Sequence, residues 1–318
     1  MVILLIFDEK KPSSGGAKCK QQMANLKEIR GRIASVTSTR QITSAMKMVA
    51  AAKLRKAQNF VSKIVPYKNK MQEVLAELSE NLAEDDDNIY TAKRDVRNIL
   101  VIAVSSNKGL CGGFNSNIFK YCMALAQRVK KDSPNATVKF YTIGRKITEL
   151  LSKAGYTVYK SDIDAIDKVD YATSSAIAAE VTKLYEEEVF DSIRLVYNEF
   201  VNPAVQNVTD HSFLPIAFDA KALAAAAKTS KKYRSDYLFE PDKDSIVKSL
   251  MPQWLKLTLF ASLAESFAGE QGARMTSMNK ATDNATELIK DLNLQYNKVR
   301  QASITNEIIE IVSGANAS

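Results

Sequence analysis

The sequence predicts an α/β protein in which a central domain of alternating strands and helices is bracketed by two long helices that pair as an antiparallel coiled coil. Three observations carry this. Asn25 to Val65 contain one glycine, Gly31, and no proline, while Ala273 to Ser313 contain neither. The text between these stretches switches repeatedly between strand-like and helix-like segments. The expected organisation is a flexible extension over 1–22, a coiled-coil helix over 23–80, a central α/β domain over 96–218, a connecting loop over 219–241 and a second coiled-coil helix over 242–318.

Composition is ordinary for a globular chain: 318 residues, 46% hydrophobic and 25% charged. The apolar run Val2 to Phe7 is far shorter than the roughly 20 residues that cross a bilayer. No basic region precedes it and no small-residue cleavage site closes it, so it makes a poor signal peptide. Pro12, Ser13, Ser14, Gly15 and Gly16 then predict a flexible arm, and the text Met23-Ala-Asn-Leu-Lys-Glu-Ile reads as a natural start.

In the first long helix, Ile29, Ile33, Val36, Ile42, Met46 and Val49 recur at helical steps with one skip. From Gly31 to Val65 it would run about 50 Å, longer than a small domain is wide. The closing helix repeats the pattern with Leu288, Leu292, Tyr296, Val299, Ser303 and Ile308, over about 60 Å. Asp242 to Ala268 read as helical too, with Gly269 and Gly272 as candidate bends. Narrow stripes rich in Ala, Ser, Thr and Gln suit two slender helices wrapped on each other. Such a pair exposes most of its perimeter to something else.

Between them, Asn98 to Ser105 is a buried-strand run, followed by a glycine loop and a helix near Asn115 to Lys130. A strand at Val138 to Ile143, a helix at Arg145 to Ala154, a strand at Thr157 to Lys160 and a helix at Tyr171 to Glu187 continue the alternation. Strands Ser192 to Phe200 and Val205 to Leu214, joined through Asn202 and Pro203, read as an edge hairpin. The alternation implies a Rossmann-like, mostly parallel sheet flanked by helices. The acidic run Glu84 to Asp87 and the lysine-rich Lys221 to Lys232 read as surface connections.

The net charge of +8 is concentrated: residues 23–72 carry eleven Lys and Arg against Glu28 alone. That favours an acidic partner surface. Nucleic acid fits less well, because the basic residues scatter round the helix and only Phe60 and Tyr67 interleave with them.

Sites for chemistry are scarce. Cys19, Cys111 and Cys122 form no CxxC pair, and the single histidine, His211, has no second His or Cys to share a metal or a nucleophile relay. The loop Ser105-Ser-Asn-Lys-Gly-Leu-Cys-Gly-Gly-Phe-Asn lies where a phosphate cradle would, but Cys111 occupies the second glycine position of GxGxxG and no Walker A sequence exists. Tight backbone packing is the alternative for its glycines. Asp162, Asp164 and Asp167, and Glu186 to Glu188, read as solvated surface. No catalytic, cofactor-binding or metal-ligating residue is predicted.

The segments Lys27-Glu-Ile-Arg-Gly-Arg-Ile-Ala-Ser-Val and Gln41-Ile-Thr-Ser-Ala-Met-Lys-Met-Val-Ala-Ala-Ala-Lys resemble the N-terminal helix of the gamma subunits of F-type ATP synthases. Ala281-Thr-Asp-Asn-Ala, and Leu294-Gln-Tyr-Asn-Lys-Val-Arg-Gln-Ala-Ser-Ile-Thr-Asn-Glu-Ile-Ile-Glu-Ile-Val-Ser-Gly-Ala, resemble that family's C-terminal signature. With the central Ser106-Asn-Lys-Gly-Leu-Cys-Gly-Gly-Phe-Asn block, the resemblance spans Met23 to Ala317.

The resemblance implies a non-catalytic rotor shaft whose paired helices stand inside a ring of alpha and beta subunits. The α/β domain would sit at the foot, on the c-ring of the proton-driven membrane sector, and bind the epsilon subunit. It implies no cofactor and no nucleic acid partner, and membrane association only through the complex. Met46 matches a position facing a beta-subunit lever loop, and Arg300, Gln301 and Thr305 match positions that hydrogen-bond a beta-subunit catch loop. Tyr237, Leu238, Phe239 and Glu240 match the contact with the c-ring loops. Residues 1–22 have no counterpart in the common bacterial pattern and lack the Arg-rich, acid-poor character of a mitochondrial presequence. With no chloroplast-type cysteine insertion either, the expected place is the cytoplasmic face of a bacterial inner membrane.

Overall fold

Asn98-Ile-Leu-Val-Ile-Ala-Val104 forms β1, the middle strand of a five-stranded sheet in a computed structural model that describes residues 14–79, 89–91, 94–216 and 243–315. Residues 1–13, the acidic run Glu84 to Asp87, Lys221 to Lys232 and the 219–241 loop with Tyr237, Leu238, Phe239 and Glu240 lie outside the described residues. The elements are α1 (Ser14–Ser79), β1 (Asn98–Val104), α2 (Phe114–Asp132), β2 (Thr137–Ile143), α3 (Arg145–Lys153), β3 (Val158–Asp162), α4 (Tyr171–Glu186), β4 (Ser192–Phe200), β5 (Gln206–Leu214) and α5 (Lys243–Ala315). The chain divides into two compact units, residues 1–46 with 278–318, and residues 47–277.

In the larger unit the sheet order is β3-β2-β1-β4-β5, with every pair parallel except the β4–β5 hairpin. A strand with parallel neighbours on both sides and helices on both faces has no wet face, which is why β1 reads as an unbroken apolar run. Its residues divide by parity. Leu100, Ile102 and Val104 pack with Ile177, Ala178, Val181 and Tyr185 of α4 and with Trp254, Leu255, Leu259 and Leu263 of α5. Ile99, Val101 and Ala103 pack with Ile118, Cys122 and Leu125 of α2 and Ile147 and Leu151 of α3. Each fully buried Leu or Ile contributes about 1.5–3 kcal/mol.

Two expectations shift. Helix α1 already begins at Ser14, so residues 14–22 of the expected extension are helical. From Ala17 to Leu26 no glycine or proline interrupts a run of good helix formers, and that outweighs the breakers just upstream. The same helix runs through Pro66 to Ser79. A proline there leaves the Ser62 carbonyl without its donor, and Ser62 is exposed, so water can serve it.

Nor do Gly269 and Gly272 interrupt α5. They serve close approach instead: a Cβ on Gly272 would lie 3.0 Å from the Pro203 Cα, and one on Gly269 3.3 Å from Gln206 and 3.4 Å from Phe114.

In the smaller unit, α1 and α5 run antiparallel. Arg30 meets Tyr296, and further along α1 Thr43 meets Thr282, earlier in α5. Half-buried positions 26, 29, 33, 36, 40, 43 and 47 lead to buried Ala50, a seam at steps of three and four. It leaves the expected stripe after Val36: Ile42 is 60% exposed and Val49 57%. On α5 it holds Ala285, Leu292, Tyr296, Val299 and Ser303 and leaves Leu288 and Ile308 outside. Small residues and a hydroxyl pair at 2.8 Å let two narrow helices approach where larger apolar side chains would hold them apart.

Candidate functional site

The sequence-predicted partner residues that the structure describes all lie in the smaller unit. Arg300 and Gln301 are exposed near the end of α5, and among the described residues neither makes a salt bridge. Thr305 is exposed one turn later, its hydroxyl donating to the Gln301 carbonyl at 2.9 Å. That bond inside the helix fixes the hydroxyl and leaves its oxygen able to accept. The three residues thus share one short stretch, with a five-donor guanidinium beside an amide.

Met46 is half-buried on α1, just past Thr43. In the register set by Arg30–Tyr296 and Thr43–Thr282, it stands about 30 Å of helix from Arg300. The structure therefore does not bring Met46 together with the Arg300 cluster. A partner touching both must do so with separate elements.

Around these residues the helix surface is unusually apolar for water. Ile304, Ile308, Ile311 and Val312 at the end of α5, and Ile42, Met48 and Val49 on α1, are about half or more exposed. Ile304, Ile308 and Ile311 recur at steps of four and three, making a stripe and not scattered single residues. On α1 these side chains follow Lys27, Arg30, Arg32 and Arg40, a surface that suits an acidic partner with apolar contact points, while the α5 stripe stands among Glu307 and Glu310.

The glycine loop has a different use. Ser106 donates through its N–H and hydroxyl to the Asn115 side-chain oxygen, at 3.1 and 2.9 Å, and the Asn115 amide donates to the Cys111 sulfur at 3.2 Å. Leu110 and Gly112 take positive φ, 64° and 61°, which turns the chain toward α2. Arg274 of α5, ion-paired with Glu270, donates to the Gly109 carbonyl. The loop is thereby anchored to α5 through the Gly109 carbonyl, whereas a phosphate cradle needs free amide donors. Burial pushes the Cys111 thiol up, against Ser106 and Arg274, so it is poorly suited to act as a nucleophile.

Glu270 and Arg274 were not singled out as functional candidates from the sequence, although their i, i+4 spacing inside a small-residue stretch, Leu263-Ala-Glu-Ser-Phe-Ala-Gly-Glu-Gln-Gly-Ala-Arg274, was a usable signal: charges that far inside an apolar helix face must pair. Burial holds the Glu270 carboxyl above its ordinary value even so.

Two other candidates have partners within the fold. Asp162 accepts from the Tyr141 hydroxyl, and among the described residues no group of three His, Cys, Asp or Glu could hold a metal. His211 pairs with Leu195 in the hairpin and its ring tilts on Tyr197 at 5.7 Å. No described helix is long and apolar enough to cross a membrane.

Residues 25–317 match the family described as ATP synthase. The chain is 49% identical over 296 residues to the ATP synthase gamma chain of Christiangramia forsetii, covering 93% of this chain and 99% of that one. It is 45% identical over 298 residues to the gamma chain of Flavobacterium johnsoniae, with the same coverage. Its fold is similar to a chain of the Euglena gracilis mitochondrial ATP synthase, in a structure of OSCP, F1 and c-ring in rotational state 3. There the TM-score is 0.63 at 19% identity, over 92% of this chain and 94% of the other. A chain of the Tetrahymena thermophila mitochondrial central stalk and c-ring matches with TM-score 0.55 at 24% identity, over 76% of this chain and 99% of the other.

Proposed function

The chain belongs to the ATP synthase gamma-chain family, and on that basis we propose that it is the turning shaft of a proton-translocating F-type complex. In this reading the antiparallel ends of α1 and α5 stand within the alpha and beta subunits, and the sheet-bearing unit meets the c-ring and the epsilon subunit. The observation that carries it is the exposed basic and apolar surface of the paired helices. A narrow seam stabilises the pair while most of its perimeter waits for a surrounding partner.

The chain's part in catalysis is mechanical. A two-helix seam is asymmetric about its own axis, so a ring of like subunits meets a different face of it at each station. Each catalytic site is then biased toward a different conformation by the differential contact it makes. Rotation driven from the c-ring moves those contacts round the ring and couples proton flow to ATP synthesis or, in reverse, ATP hydrolysis to pumping. Arg300 and Gln301 supply donors for an acidic or carbonyl-lined catch loop, Thr305 supplies a hydroxyl oxygen that can accept from it, and Met46 an apolar contact for a lever loop. Tyr237, Leu238, Phe239 and Glu240 belong to the c-ring contact. We place the complex at the cytoplasmic face of a bacterial inner membrane, with the chain peripheral to it.

Mixing the chain with alpha and beta subunits tests this. A larger species by gel filtration with faster ATP hydrolysis than the two subunits alone is the expected result. No association, together with nucleotide binding by the isolated chain, would contradict it and return the glycine loop to consideration as an active site.

A further inference from the structure

The last turns of α5 are bare. Ser303 is the final half-buried residue of the seam, and from Ile304 to Ala315 every residue is exposed. Ile304, Ile308 and Ile311 line one face of this stretch, with Val312 beside them. A continuous apolar stripe on a helix in water has a contact still to make.

The start of α1 lies at the same end of the pair. From the Arg30–Tyr296 contact, α1 runs back to Ser14 and α5 runs forward to Val312, each over about 24 Å of helix. Ahead of Ser14 stand Val2-Ile-Leu-Leu-Ile-Phe7, then Asp8, Glu9, Lys10, Lys11, Pro12 and Ser13. The family match begins only at residue 25, so this arm belongs to the part of the chain outside it. Its six apolar residues in a row need cover as much as the stripe does.

Geometry favours a fold-back. A straight continuation of α1 would carry Val2 to Phe7 past Ala315, where α5 has nothing to offer, and Pro12 disfavours helical backbone at Lys11. Extended, Asp8 to Ser13 span up to roughly 20 Å, whereas Ile304 to Ile311 occupy only about 10 Å of helix. The apolar run can thus reach the whole stripe. Charge decides between this occupant and a second copy of α5. A second stripe would set its own Glu307 and Glu310 against these two, whereas Asp8, Glu9, Lys10 and Lys11 sum to zero and add no net repulsion.

We propose that Val2 to Phe7 folds back over Ile304, Ile308 and Ile311 and covers the end of α5 in the free chain. The arm is a tethered cover. Its high effective concentration keeps the stripe from water and from other chains until a partner with a better apolar fit displaces it. The contact belongs to the free chain, so its test does not depend on the shaft reading.

The test uses the full chain with Cys19→Ser, Cys111 and Cys122 being buried. Leu5→Cys with Ile308→Cys, mildly oxidised at high dilution, is expected to close a disulfide within one chain, seen as a mobility change on a non-reducing gel. Leu5→Cys with Ile42→Cys places the second thiol far along α1, and its yield should be about tenfold lower. Separately, Leu4→Asp with Ile6→Asp leaves both helices intact and should raise the fluorescence of a dye for apolar surface about twofold. Four results overturn the proposal: equal yields from the two cysteine pairs, disulfides only between two chains, dye fluorescence unchanged by the aspartates, or a native protein whose N-terminal sequence starts at Met23.

Discussion

Arg30 and Tyr296, 266 residues apart, are joined twice: the guanidinium donates to the tyrosine hydroxyl at 2.7 Å, and its carbon lies 5.6 Å from the centroid of the same ring. This contact and the Thr43–Thr282 bond fix the register of the paired ends. Tyr296→Phe keeps the ring and removes the hydroxyl, so denaturant unfolding should show a loss of a few tenths of a kcal/mol. Arg30→Ala removes both contacts and should cost about 1 kcal/mol. Equal losses would mean that the ring contact contributes nothing.

The proposed partner contact at the end of α5 makes a separate prediction. Arg300→Ala with Gln301→Ala removes exposed donors and no packing. ATP turnover of the purified complex should therefore fall more than the yield of assembled complex does. Equal loss in both counts against a specific contact with a catch loop.

Three glycines should respond in opposite directions to one added methyl group. Gly31 has open space about its Cβ position, in a helix interior, so Gly31→Ala should stabilise by about 0.5–1 kcal/mol. Gly272→Ala would press on Pro203 at 3.0 Å and should cost about 1–3 kcal/mol. Gly144, at φ 108° with the Ser105 carbonyl oxygen 2.3 Å from a Cβ, should be the worst of the three. Denaturant titration of the purified variants ranks them, and any other order faults the packing described for α5 and for the β2–α3 turn.

Glu270 supplies a pH dependence. Burial holds its carboxyl above the ordinary 4.5, against the pull of Arg274. As pH falls the folded chain takes up this proton before the unfolded chain does. The group's contribution to stability is thus complete below 4.5 and is lost as pH rises through the folded value. Relative to Glu270→Gln, the native chain should gain stability as pH falls from neutrality toward the ordinary carboxyl value of 4.5. A difference that does not change with pH contradicts the assignment.

Much of this fold is legible in the sequence because it obeys simple periods. The apolar run at β1, the alternation from Asn98 to Leu214 and the freedom of both terminal stretches from glycine each follow from one rule of backbone chemistry. On α1 the seam was legible only as far as Val36. Beyond it, Thr43, Lys47 and Ala50 lie on the buried seam while Ile42 and Val49 face outward, so a pattern read by hydrophobicity follows the exposed apolar surface and not the helix pair. The glycines of α5 misled for a related reason. Gly269 and Gly272 read as bends, yet they answer to Gln206, Phe114 and Pro203, which only the folded sheet brings near. Of the candidate site, Arg300, Gln301 and Thr305 were nameable through a family resemblance, while periodicity gave only their helix.

The central claim is that this chain turns. Cys111 and Cys122 are buried, so with Cys19 replaced, a thiol introduced as Lys131→Cys at the exposed end of α2 can carry a bead on a complex whose alpha and beta subunits are fixed to a surface. Observed under a microscope with ATP, the bead should step round in one direction at a rate that follows ATP hydrolysis. A bead that stays still, or only wobbles, while the same complexes consume ATP would contradict the shaft account.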